Sequence, residues 1–301
     1  MEPKAAIEDF LQHITLELGL SANSVAAYRT DLADLCKHSA TLDVTATKPQ
    51  HINRYFSALS AQGRKPATLA RKLSAAKQFF DYLVGRGVVK QNPTTGYRAP
   101  RIARYHPDYL SVEEIERIIA VCDLDKSLAT RDRAVIELLY GCGLRISELL
   151  DLKIGSLETE AGFIRVIGKG NKQRLVPIGK FAIEAVRKYL DSSERARVPG
   201  DSSRHILVNR TGRRMSRVGL WKAVRKLVVR AGVTKTVTPH TFRHSFATHM
   251  LAGGADLRTV QEMLGHADIS TTEIYTQIDQ GYIVAEHRRH HPRELAGFRR
   301  K

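Results

Sequence analysis

Apolar residues recur at helical spacing along nearly all of this chain, and that pattern confines it to mainly helical folds. Val25, Tyr28, Leu32 and Leu35 follow the cap candidates Ser21 and Asn23. Ile52, Tyr55, Phe56 and Leu59 follow Pro49, and Leu69, Leu73, Ala76, Phe80 and Leu83 follow Pro66. With the opening segment 7–18, this predicts a four-helix domain over residues 1–93, ended by Gly85, Gly87 and the Asn92-Pro93 pair. A linker is expected over 94–110, where Gly96, Pro100 and Pro107 interrupt basic residues and tyrosines. A second domain, 111–301, opens on a capping box, Ser111 and Glu114, ahead of Ile115, Ile118 and Ile119. Only three short runs break the helical period: 163–167, 174–178 after a turn at 168–170, and 206–208. The expected fold is therefore mainly α, with an all-helical first domain and an α+β second domain that holds a small antiparallel sheet.

Charge narrows the partner. Lys and Arg total 48 against 31 Asp and Glu, a net +17, and both expected domains share the excess. Such a chain favours a polyanion, because neutralising phosphates releases counterions. No apolar run is long enough to span a bilayer, so no membrane is expected, and the acidic opening residues argue against a secretory signal. The three cysteines, Cys36, Cys122 and Cys142, are too scattered for a zinc site or a disulfide framework. A cytoplasmic protein without metal or cofactor is expected.

Four segments of the second domain hold residues suited to phosphate chemistry. In Gly143-Leu144-Arg145-Ile146-Ser147-Glu148, Arg145 and Glu148 stand one helical turn apart, so the carboxylate either makes a plain surface pair or aims a guanidinium at a phosphate. In Gly168-Lys169-Gly170-Asn171-Lys172, glycines flank a turn lysine that would reach a leaving oxygen as a general acid; the phosphate-loop pattern GxxxxGK[ST] is absent. Thr238-Pro239-His240-Thr241-Phe242-Arg243-His244 reads as a capped helix start with His240 and Arg243 on one face. Its His240–His244 spacing matches zinc-protease helices, but Thr241 stands where their glutamate is needed. The fourth segment carries His266 and, nine residues on, Tyr275. Each alone has a bland reading as solvated or packed. As a set they supply what metal-free phosphoryl transfer needs: paired arginines for the developing charge, a proton donor, histidines and a nucleophile.

GLRISEL, GKGNK, HTFRHSFATHML and LGHADISTTEIYTQI resemble the catalytic signatures of the tyrosine recombinase (phage-integrase) family, bacterial Xer type. SANSVAAYRTDLADL resembles its core-binding segment, and the tail HRRHHPRE leans towards the XerD kind over the XerC kind. The resemblance implies a SAM-like core-binding domain followed by a catalytic domain. It further implies that Tyr275 attacks the scissile phosphate to leave a 3′-phosphotyrosyl link, that Arg145 and Arg243 clamp the phosphate, and that Lys169 protonates the leaving 5′ oxygen. His240 would act as base toward the tyrosine and His266 would position the phosphate. Arg71, Lys72, Lys77 and Lys172 are candidate DNA contacts. Implied partners are a double-stranded recombination site, a homo- or hetero-tetramer with or without a Xer paralogue, and a DNA translocase activator (FtsK-like). The implied function is chromosome dimer resolution at a dif-like site through a Holliday junction, with the segment from Gln277 to about Arg293 docking into a neighbouring subunit. A mobile-element integrase and a non-catalytic DNA-binding accessory protein are the alternatives. The first helix begins too early for the arm-binding domain common in the former, and the complete catalytic set speaks against the latter.

Overall fold

The computed structural model describes residues 1–18, 20–39, 43–98, 109–124, 128–168, 173–195, 204–265 and 277–295, the last without the side chains of 277–279. The chain divides into two compact units, Met1–His106 and Pro107–Lys301.

The first unit holds four α-helices among its described residues: α1 (Pro3–Leu16), α2 (Ala22–Ser39), α3 (Pro49–Ala61) and α4 (Pro66–Gly85). Three of them begin with proline, whose fixed φ suits the first turn and whose missing N–H is no loss there. Their apolar stripes meet in one core around Phe10, Leu32, Ile52, Phe56, Phe79 and Phe80. A polar seam also joins α2 to α4. Asp31, 3% exposed, pairs with Arg71 and with Lys72 (3.2 Å), and Lys72 reaches Asp34 at 2.7 Å.

The second unit is built around α6 (Ala129–Gly141), in which every residue from Ala134 to Gly141 is buried. Packed about it are α5 (Val112–Cys122), α8 (Lys180–Asp191), α9 (Arg217–Arg230) and α10 (Pro239–Ala252). The capping boxes at Ser111 and Thr238 form as the residue pattern requires. The short helix α7 (Ile146–Asp151) leads into a three-stranded antiparallel sheet, β1 (Leu157–Glu158), β2 (Phe163–Ile167) and β3 (Gln173–Pro177), in that order. Its register pairs Phe163 with Pro177 and Ile167 with Gln173. The run at 206–208 is not a strand. Ile206, Leu207 and Val208 are all buried, without the alternation of a half-buried strand, and pair only through single bridges beside them and at Val208.

The chain closes with α11 (Leu257–Leu264) and α12 (Gln277–His290). The tail packs on its own unit. Ile283 and Val284 are buried, while Tyr282 is 53% exposed. His287 donates to the Gly141 carbonyl (2.8 Å), and its ring stacks on His291, 4.8 Å between centroids. Arg293 grips the buried Glu137 carboxylate through Nε (3.1 Å) and Nη2, and lies 4.0 Å over the Phe181 ring.

Burial drives the His287 imidazole down to about 4, helped by the positive charge of Arg288, and pushes His291 in the same direction. Both are neutral in the fold, whereas the unfolded chain takes up protons below about pH 6.5. Stability is therefore fully present above pH 6.5 and falls with acidification, by about 3 kcal/mol from His287 alone at pH 4. Urea melts between pH 7 and pH 4 should show this slope, and His287→Gln, which keeps a donor for Gly141, should flatten it.

Candidate active site

Three backbone segments converge at one point. The loop from α6 to α7 turns at Gly143, whose φ of 58° suits glycine; a side-chain carbon there would sit 2.7 Å from the Phe246 ring. This close approach places Arg145 at the cap of α7, next to α10. Helix α11 ends at Gly265, in the left-handed conformation with φ 65°, where an added carbon would meet Arg174 at 2.8 Å. The last carbonyls of α11, which have no partner within the helix, face inward.

Arginines from three different elements take up those carbonyls. Arg174, on β3, donates from Nε to the Met263 oxygen at 3.1 Å. Arg243, on α10, donates from Nη2 to the Leu264 oxygen and from Nη1 to the Gly143 oxygen at 2.8 Å. Arg145 donates from Nη2 to the Gly265 oxygen at 2.8 Å. One carboxylate serves two of them. Glu148, its side chain 3% exposed, accepts from Arg145 Nη1 (2.8 Å) and the Arg145 backbone N–H (2.8 Å), and from both Arg174 terminal nitrogens (2.6 and 2.9 Å). It is thus no surface pair. Burial would raise the Glu148 carboxyl, but the bonds and charge of Arg174, with those of Arg145, hold it below the usual range. Three guanidiniums around one carboxylate leave the cluster positive. Burial, then the nearby charge of Arg145, lowers the Arg243 guanidinium to about 9, so it remains charged at neutral pH but poorly solvated. Such a cation gains most from an anion placed beside it.

Thr238 caps α10, and Pro239 takes its first position. His240 is exposed on the first turn, while Arg243 is buried at 9% exposure. Lys169, Lys172, His266 and Tyr275 lie outside the described residues, although Gly265 directly precedes His266. Among the described residues no group of three or more His, Cys, Asp or Glu side chains is placed to hold a metal.

A model of the phage integrase family matches residues 108–281, and a model of the phage integrase N-terminal SAM-like domain matches residues 7–87. The chain belongs to the phage integrase family of tyrosine recombinases. It is 39% identical over 293 residues to a tyrosine recombinase XerD of Oceanobacillus iheyensis, covering 96% of this chain and 98% of that one. It is 40% identical over 298 residues to a tyrosine recombinase XerD of Chlorobaculum tepidum, covering 96% and 97%. Among solved structures it shares its fold with the Tn1549 transposon integrase in complex with circular intermediate DNA (TM-score 0.71, 19% identity, 88% and 92% covered). It also shares the fold of the XerH recombinase bound to difH substrate (TM-score 0.66, 22% identity, 92% and 90% covered). This chain is a XerD-like site-specific tyrosine recombinase.

Two features of the recombinase leave only a faint mark in the sequence. Arg174 belongs to a hairpin strand, and a charged residue on the inward face of β3, in step with buried Val176, is the signal that marks it. Helix α9 is the second. It exposes Arg217, Lys222 and Arg225, with Arg225 5.3 Å over the Trp221 ring, a basic face with an aromatic in it. On the first unit, Lys77 is exposed and Arg71 is half exposed while paired with Asp31. Lys72 is 11% exposed, and its ammonium lies between Asp31 and Asp34, where it ties α4 to α2.

Proposed function

We propose that this recombinase resolves chromosome dimers at a dif-like site in the cytoplasm, cutting and rejoining strands through a phosphotyrosyl intermediate. The observation that supports it most is the meeting of Arg145 and Arg243 at the end of α11, on the carbonyls immediately before His266. Two guanidiniums fixed this way present a fork to the non-bridging oxygens of one phosphate and stabilise its pentavalent charge. Tyr275 Oη attacks phosphorus, its proton passing to His240; the P–O5′ bond breaks and Lys169 protonates the departing oxygen. His266 steadies the phosphate. The 3′-phosphotyrosine keeps the energy of the broken bond, so attack by a partner strand's 5′-hydroxyl reverses the step and frees the tyrosine.

Residues 1–93 act in this reading as the core-binding domain, 94–110 as the linker and 111–301 as the catalytic domain. Arg71, Lys72, Lys77 and Lys172 contact the duplex, and the basic face of α9 adds to them. Four protomers, of this chain or of this chain with a Xer paralogue, join two sites and exchange strands pairwise through a Holliday junction, under the control of a DNA translocase. The segment from Gln277 to Arg293 is then exchanged between protomers, each tail making in its neighbour the contacts that it makes here in its own unit. A mobile-element integrase would share this chemistry, but the XerD relatives match the chain from end to end and favour the chromosomal role. Two supercoiled plasmids bearing dif-like sites, mixed with the protein, its paralogue and the translocase domain without metal or ATP, should give reciprocally exchanged products. Relaxation of supercoils without exchange would instead indicate a topoisomerase.

A further inference from the structure

Arg174 has no place in the chemistry above, yet it is the most completely engaged side chain of the cluster. It is 8% exposed and donates from all three guanidinium nitrogens, two to Glu148 and one to Met263. Each oxygen of Glu148 is shared: Oε1 between Arg174 Nη1 and Arg145 Nη1, and Oε2 between Arg174 Nη2 and the Arg145 backbone N–H. The same Arg174 stem lies against Gly265, whose carbonyl holds Arg145 Nη2.

We infer that Arg174 is a positioning residue for strand cleavage: it neutralises Glu148, so that this carboxylate aims Arg145 without consuming its charge, and it fixes the end of α11 on which Arg145 and Arg243 rest. A buried carboxylate facing Arg145 alone would hold that guanidinium in a tight pair, and a phosphate would have to compete for it. With Arg174 present, the carboxylate charge is already balanced and Arg145 offers the phosphate a full positive charge in a set direction. Direction matters as much as charge, because displacement of a reacting group by about 1 Å costs about 100-fold in rate. The inference rests on the reading that Arg145 grips the scissile phosphate.

The test compares wild type, Arg174→Met, Arg174→Lys, Glu148→Gln and the Glu148→Gln/Arg174→Met pair. Single-turnover formation of the covalent adduct on a nicked duplex should slow by about 100-fold in Arg174→Met, with duplex affinity changed by no more than about threefold. The double variant, which lacks the unbalanced carboxylate, should recover about tenfold over Arg174→Met, and Arg174→Lys should fall between Arg174→Met and wild type. A merely structural Arg174 would give the double variant no recovery. Titration with inorganic phosphate, read by the rise in melting temperature, reports on the arginine site without cleavage. Wild type should be stabilised, Arg174→Met much less, and the double variant again more. Wild-type rate and wild-type phosphate response in Arg174→Met would overturn the inference, as would a double variant no better than the single. The phosphate pattern without an adduct from any protein, wild type included, even with paralogue and translocase domain supplied, would support Arg174 as positioning the anion site and overturn the cleavage chemistry.

Discussion

Arg243→Ala is expected to slow adduct formation by about 10²- to 10³-fold while leaving duplex binding nearly intact. Arg243 is buried, and its bonded partners are two neutral carbonyls, those of Gly143 and Leu264. Those carbonyls orient the guanidinium but offset little of its desolvation, which with the charge of Arg145 accounts for its depressed pKa. Charge building on phosphorus-bound oxygens during attack is what relieves that condition, so its contribution belongs to the transition state and not to ground-state binding. Arg243→Lys should recover only a small part of the rate, because an ammonium cannot hold Gly143 and Leu264 at once and still present a fork. Single-turnover rates and duplex affinities, measured side by side with melting temperatures, check this. A variant that binds and cleaves within a few-fold of wild type would remove Arg243 from the phosphate.

Much of the architecture was readable because local chemistry and global fold agree. Ser111 with Glu114 and Thr238 with Pro239 mark helix starts that the structure places at those residues. The glycine turn between two alternating runs marks the β2–β3 hairpin. Less is legible where side chains answer to distant partners. Lys72 has the look of a solvated helix residue until Asp31 and Asp34, 41 and 38 positions earlier, are brought beside it. Arg174 has the look of a hairpin charge until Glu148 and α11 surround it. The tail's apolar residues announce that they must be covered, and Ile283 and Val284 are; periodicity alone does not say which body covers them. The run at 206–208 shows the limit of composition: a continuous apolar stretch is equally suited to a buried strand or to a loop pressed into a core.

The candidate site was legible as a set of residue types more than as any one residue. Arg145 beside Glu148 admits a surface reading, and only the burial of Glu148 under a second arginine makes the pair part of a buried cluster. His240 and Arg243 follow from the helix start itself, since three residues is close to one turn. The end of α11 carried no such signal, because carbonyls acting as anchors leave no mark on the side-chain pattern.

The proposed reaction joins Tyr275 covalently to DNA. The most direct measurement incubates wild type and Tyr275→Phe, without metal or ATP, with a nicked duplex bearing a dif-like site from which the cleaved fragment diffuses away. Paralogue and translocase domain are supplied in parallel samples. A protein–DNA species that resists SDS, forms with wild type and is wholly lost in Tyr275→Phe, with binding unchanged, is the predicted result. An adduct that survives in Tyr275→Phe, or wild-type binding that yields no adduct even with both additions, would contradict it.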